Sequence, residues 1–211
     1  MPEFQTRLSR KEVRQKLNID GASFTVLTLS GGFGVGRVED IAHQAVETMS
    51  EFSSQQFTLL VVCGDTPLLT ARTLHELLET HAASGAAVTV LSMRLPDPAG
   101  YGRIVRTVDG AGIERIVEEK DATPAQRALD EVNSGIYAFD YPELAGVLSR
   151  LTAANSQGEY YLTDTVSLLQ AKGLHAAVVC ASDPREMLGI NTPGQLAEAD
   201  AIWHQMQGGS R

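Results

Sequence analysis

A chain of 211 residues, 43% hydrophobic and 20% charged, is long enough for one sizeable core and has the balance of a globular protein. Its net charge of −9 argues against a general binder of nucleic acid or of anionic membranes, since both reward basic surfaces. Two cysteines, Cys63 and Cys180, sit in valine-rich runs and are expected to be buried thiols; with five scattered histidines they exclude a disulfide scaffold and a zinc site.

The first 20 residues carry five Lys/Arg against three Asp/Glu, and "LSRKEVRQKL" (8–17) has the spacing of a short amphipathic helix. The strand "FTVLTLS" (24–30) then feeds the glycine loop "GGFGVGR" (31–37) and a helical stretch over 38–52. That order presents backbone N–H groups to phosphate. The loop fits no standard frame, because the third glycine of G-x-G-x-x-G falls on Arg37, and a P-loop frame puts Val38 where a hydroxyl is needed. Gly32, Gly34, Gly36 and Arg37 are nevertheless candidate phosphate contacts.

A second strand, "FTLLVVCGD" (57–65), is followed by a helix over 70–84 capped by Thr70 and a third strand over 86–95. This βαβαβ rhythm predicts a parallel sheet with right-handed crossovers, covered by helices on both faces. Between Pro96 and Ala122 it gives way to short strands joined by Gly, Pro and Asp turns, which predicts antiparallel hairpins. A strand over 132–140, helices over 141–151 and from near Tyr161, a strand over 175–182 and a helix over 193–206 complete the chain. No apolar stretch approaches about 18 residues and no signal-peptide core is present, so no membrane insertion and a cytoplasmic location are expected.

Several residues could carry chemistry. Asp65 ends a buried strand, where open α/β sheets bind ligands; it is either a magnesium ligand or a turn cap ahead of Pro67. Gly100 and Gly102 flank Tyr101 in a tight turn or a close approach to ligand. Glu118 to Asp121 form a charged run of the kind that usually faces solvent. Asn133 and Ser134 interrupt an apolar strand for which asparagine is poor material. Either Asn191 or Thr192 could cap the last helix.

In their joint order, "GDTPLLTARTL", "GYGRIVR", "IVEEKDATPAQR", "EVNSGIYAFD", "NSQGEYYLTD" and "GINTPGQLAEAD" resemble the N-terminal uridyltransferase domain of the bifunctional GlmU family, from Gly64 to the C-terminus. The resemblance implies a three-layer Rossmann-like mixed sheet of the nucleotide-diphospho-sugar transferase type, with a small β-rich sugar-binding lobe. It also implies a transferase that joins UTP and GlcNAc-1-phosphate into UDP-N-acetylglucosamine and pyrophosphate, in the service of peptidoglycan synthesis. On that resemblance Asp65 and Asn191 match the pair holding catalytic Mg²⁺. Gly102 matches a backbone contact to the sugar, Glu118 and Asn133 match groups that bind the GlcNAc hydroxyls and N-acetyl group, and Tyr161 and Thr163 line the sugar-phosphate side.

The chain departs from the family at its start. The family's L-A-A-G-x-G-T-R-M signature and Q-x-x-G-T-G-H-A segment, which bind UTP, are absent. Residues 7 to 64, with "GGFGVG", resemble instead the nucleotide-sugar half of a GT-B glycosyltransferase of the monogalactosyldiacylglycerol-synthase type, which suggests a chimera joined at Gly64. The expected organisation is an arm or helix over 1–22 and one nucleotidyltransferase-like domain over 23–211. Within it, 23–64 form an atypical glycine-loop entry and 65–211 the sugar-phosphate and metal part. The family's acetyl-transferring β-helix is absent too, so a monomer without acetyl transfer is expected. Two other readings compete: a fragment that binds sugar phosphate without turnover, and a GT-B-type glycosyltransferase fragment.

Overall fold

The computed structural model describes residues 24–30 and 57–208. Seven strands form one sheet among these residues: β1 (Phe24–Ser30), β2 (Phe57–Cys63), β3 (Val88–Arg94), β4 (Arg103–Arg106), β5 (Ile113–Val117), β6 (Glu131–Asp140) and β7 (Ala176–Cys180). The helices are α1 (Ala71–Ser84), α2 (Pro124–Arg127), α3 (Tyr141–Leu148), α4 (Asp164–Ala171) and α5 (Pro193–Gly208), with a 3-10 turn at Pro184–Met187.

The main order across the sheet is β1-β2-β6-β3-β7. β1 and β2 are parallel and in register from Phe24↔Phe57 to Ser30↔Cys63, and β3 and β7 are parallel as well. The sheet is mixed, as expected, and the parallel order read from the first half of the chain holds between β1 and β2. β6 lies antiparallel between β2 and β3, pairing Val61↔Tyr137 on one side and Val90↔Tyr137 on the other. As a consequence the start of β6, with Asn133 to Gly135, reaches the same edge as the carboxyl ends of β2 and β3. The hairpin expected between Pro96 and Ala122 is present as β4–β5, and it joins the sheet through Arg103↔Val132.

Both sheet faces are covered, which is why its central strands are almost continuously apolar. Val88, Val90, Tyr137 and Phe139 pack with Leu144 and Val147 of α3 and Val166 and Leu169 of α4 on one face. On the other, Leu60, Leu91, Ile136 and Ala138 pack with Leu77 of α1. Cys63 is half-buried and Cys180 exposed, because each ends its strand rather than lying within it.

Two helices begin with the same local chemistry. Thr123 Oγ1 accepts from Gln126 N at 3.3 Å while Gln126 Oε1 accepts from Thr123 N at 2.9 Å, a capping box at α2. At α5, Thr192 Oγ1 accepts from Gln195 N at 3.2 Å, and Gln195 Oε1 accepts from the backbone N–H of Asn191 at 2.8 Å. Thr192 is therefore the cap, and the Asn191 side chain is left for other work. The helix expected from near Tyr161 starts at Asp164; Tyr161 to Thr163 form the turn that leads into it.

Candidate active site at the carboxyl edge of the sheet

Asp65 lies two residues past β2, and Asn191 lies on the segment joining the 3-10 turn to α5. That segment folds back so that Ile190 N donates to the Asp65 carbonyl at 2.8 Å. Gly189 sits between the two side chains. A Cβ there would stand 3.3 Å from Asp65 Oδ2 and 3.6 Å from Asn191 Nδ2, so those atoms lie at most about 7 Å apart. Among the described residues no hydrogen bond or ion pair engages the Asp65 carboxylate or the Asn191 amide, and Asp65 caps no helix, since α1 is capped by Thr70.

The residues matched to a sugar form a second, adjoining group. Glu118 follows β5, and its Oε1 accepts from Thr163 Oγ1 at 2.9 Å. Its other oxygen, Oε2, lies 3.2 Å from where a Cβ on Gly102 would stand, so a side chain there would push the carboxylate back by a few tenths of an ångström. Asn133 N donates to the Gly102 carbonyl at 2.8 Å, and Asn133 Nδ2 donates to Tyr137 Oη at 2.6 Å. Asn133 and Glu118 both act on the Tyr137 phenol, Asn133 through this hydrogen bond and Glu118 through its charge. Burial pushes the Glu118 carboxyl above its usual range; the Thr163 bond opposes this, and the nearby Asp164 and Asp121 charges add to it. Burial likewise raises the Tyr137 phenol.

A cleft of about 480 Å³ opens beside this group, lined in part by Glu118, Asp121, Gln126, Tyr161 and Thr163. Gly102 and Asn133 are outside its lining; Gly102 packs against the opposite oxygen of Glu118. Tyr161 Oη takes a hydrogen bond from Gln157 at 2.7 Å and donates to Asp121 Oδ2 at 3.3 Å, clasping the 155–161 loop to the charged turn after β5. Lys120 Nζ adds a bond to Gln157 Oε1 at 2.5 Å.

The two groups meet at Cys63. Cys63 stands two residues before Asp65, and its Sγ lies 3.6 Å from the carbonyl of Gly135, which stands two residues after Asn133. Gly32, Gly34, Gly36 and Arg37 lie outside the described residues. β1, which precedes them, delivers Ser30 level with Cys63 at this same edge.

Three charged residues of importance carried no sequence signal of their own. Arg103 is only 2% exposed. It donates to the Tyr101 and Arg127 carbonyls and pairs with Glu119 at 2.7 Å, so the "EEK" turn is anchored from within the protein and is only partly a solvated run. Glu131, at the start of β6, is buried; that burial would raise its carboxyl, but bonds from Arg106 and Ser92 and the charges of Arg106 and Arg94 outweigh it and lower it. Glu186 is 1% exposed and accepts two hydrogen bonds from Thr70, the cap of α1.

No family model matches the chain. Among curated proteins it is 54% identical to the bifunctional protein GlmU of Streptomyces griseus over 148 residues, 70% of this chain and 31% of that protein. It is 46% identical to that of Heliobacterium modesticaldum over 160 residues, 76% of this chain and 35% of that one, and 53% identical to that of Thermobifida fusca over 142 residues, 67% and 29%. The chain thus spans about a third of the length of these relatives. Among solved structures, a CMP:2-keto-3-deoxy-manno-octonic acid synthetase complexed with CTP matches with a TM-score of 0.54 at 16% identity, over 92% of this chain and 86% of that one.

These matches give no support to a GT-B graft joined at Gly64. Residues 64–211 number 148, so a match of 160 residues must reach at least a dozen residues upstream of Gly64. The described part of residues 7–64 fits the same sheet, with β1 and β2 in register. The fold is that of the nucleotide-diphospho-sugar transferases, and over about 70% of its length the chain is a homologue of the bifunctional GlmU proteins.

Proposed function

We propose that this chain is a sugar-1-phosphate nucleotidyltransferase that joins GlcNAc-1-phosphate to UTP and releases pyrophosphate. The observation that carries the proposal is the meeting, at one sheet edge, of an uncommitted Asp65–Asn191 pair with a Gly102–Glu118–Asn133–Thr163 cluster. Similarity to GlmU proteins supports the sugar substrate and the uridine nucleotide, and the CTP-complexed neighbour supports a nucleotide in this fold.

The donor set fits magnesium. One carboxylate and one amide oxygen at a strand end suit an ion that takes few protein ligands and leaves its other positions to phosphate and water. Among the described residues no cluster of three or more His, Cys, Asp or Glu offers a site for a metal needing a fuller protein cage. Mg²⁺ held by Asp65 and Asn191 would supply charge neutralisation for the reacting phosphates.

The chain's own residues orient the reactants. Glu118 and Asn133 read sugar hydroxyls and the N-acetyl group by hydrogen bonds, and unpaired buried polar groups then penalise the wrong sugar. Gly102 allows the sugar against the backbone, and Tyr161 and Thr163 border the sugar-phosphate side. A phosphate oxygen of the sugar phosphate forms a bond to the α-phosphorus of UTP while the bond to pyrophosphate breaks. No covalent enzyme intermediate is required, so catalysis is positioning and electrostatics.

Pyrophosphate release from the chain with UTP, GlcNAc-1-phosphate and Mg²⁺ tests this. Release that needs all three and disappears in Asp65→Ala is expected. GlcNAc-1-phosphate binding without release would replace the proposal with a sugar-phosphate-binding protein lacking turnover.

A further inference from the structure

Resting on the reading of Asp65 and Asn191 as the metal pair, we propose that Glu186 is the positioning residue that holds Asn191 against Asp65. Glu186 lies in the 3-10 turn after β7, with 1% of its surface exposed. Its Oε2 accepts from Thr70 N at 3.1 Å and from Thr70 Oγ1 at 2.9 Å, while Oε1 faces Arg72 Nη2 at 3.7 Å. A carboxylate this far from water persists only where fixed donors meet it. The donors here belong to a residue that is itself fixed, because Thr70 Oγ1 also accepts from Thr73 N as the cap of α1.

The consequence lies in how two chain segments run past each other. From Thr70 the chain leads back to Asp65; from Glu186 it leads forward to Gly189 and Asn191. The segments are clasped at one end by Glu186 and Thr70 and at the other by Ile190 N donating to the Asp65 carbonyl. Between the clasps the tolerance is small. Gly189 already leaves only 3.3 Å between a Cβ position and Asp65 Oδ2, so a slide of the segment would either crowd that carboxylate or withdraw Asn191 from it. Glu186 touches neither substrate nor metal; it sets the register that lets Asp65 and Asn191 act as a pair.

Native-state hydrogen exchange separates this role from general stability. In Glu186→Ala the Ile190 amide should exchange about tenfold faster while the Leu91 amide in the sheet core is unchanged, as expected for loss of a charge-assisted clasp with local opening. Glu186→Gln, which keeps an acceptor for Thr70, should stay near the parent. Should Glu186→Ala fail to fold, Thr70→Val and Thr70→Ser give the same contrast, with Ser preserving the hydroxyl. Mn²⁺ titration followed by its paramagnetic signal, with UTP present, should show weakened binding in each variant whose Ile190 amide is deprotected. An Ile190 amide as protected as in the parent, or one that loses protection in step with Leu91, overturns the positioning role. Unchanged Mn²⁺ binding by Asp65→Ala overturns instead the metal reading beneath it, whatever Ile190 does.

Discussion

Thr163 Oγ1 donates to Glu118 Oε1 at 2.9 Å, although Thr163 stands at the cap position of α4 and its side chain caps nothing. A threonine that forgoes the start of its own helix to bind a carboxylate 45 residues away fixes that carboxylate's orientation. It also lowers a carboxyl that burial raises. Unfolding returns Glu118 to its ordinary value of 4.5, so the folded chain holds the proton more tightly than the unfolded one. The stability this brings is fully present below that ordinary value and is lost as pH rises through the raised one. Glu118→Gln should flatten this part of a pH series of thermal denaturation. Thr163→Val should move the loss to higher pH, since the bond it removes favours the ionised form. A lower Glu118 titration point in Thr163→Val, read by carboxyl NMR, would contradict the arrangement.

At the proposed Asp65–Asn191 metal pair, function and stability should separate. With no hydrogen bond to the Asp65 carboxylate among the described residues, Asp65→Ala should change stability by no more than about 0.5 kcal/mol while abolishing pyrophosphate release. Gly189→Ala leaves both side chains in place but sets a methyl 3.3 Å from Asp65 Oδ2 and should also depress turnover. Chemical denaturation beside the release assay checks both. An active Asp65→Ala enzyme would remove the residue from the chemistry.

Much of this edge was legible in the sequence, and the parts that were not have physical reasons. Strand bounds such as Phe24–Ser30 follow from apolar runs broken by polar and glycine residues, and the cap at Thr192 could have been read from the T-P-x-Q spacing that Thr123 repeats. The antiparallel placement of β6 could not, because it depends on pairing Tyr137 with Val61 and Val90, both far away in sequence. Arg103, Glu131 and Glu186 escaped notice because charged residues are normally exposed, and only tertiary partners make their burial tolerable. The Asp65–Asn191 proximity was expected only from family resemblance; its local cause is the Ile190–Asp65 hydrogen bond and the small Gly189.

Gly135 joins the two halves of the site and should resist substitution. Its φ of +79° is left-handed, and a Cβ would stand 2.9 Å from Cys63 Sγ. Gly135→Ala therefore meets both backbone strain and a clash, and a loss of about 1–3 kcal/mol is expected from the strained backbone alone. Adding Cys63→Ala should recover the steric part and leave the backbone part. Full recovery in the double variant, by urea denaturation, would mean that the backbone conformation is unimportant.

The nucleotide side should be the weaker half of the site. The chain lacks the L-A-A-G-x-G-T-R-M signature and the Q-x-x-G-T-G-H-A segment with which the GlmU family binds UTP, while in the sequence "GGFGVGR" follows β1, whose Ser30 stands level with Cys63. Contacts to phosphate from backbone N–H groups and a guanidinium, of the kind the sequence offers at residues 31–37, carry no information about the base. Each charge-assisted phosphate contact is worth about 1.5–3 kcal/mol, so the loss of two weakens capture by roughly 10² to 10⁴. UTP should therefore bind weakly, and CTP or ATP should compete almost as well, whereas GlcNAc-1-phosphate should still bind and should bind less well to Asn133→Ala. Calorimetric titration with each nucleotide decides the point. Tight, uracil-selective binding of UTP would show that residues 31–56 recreate a base pocket by other means, and that the missing signature costs this chain nothing.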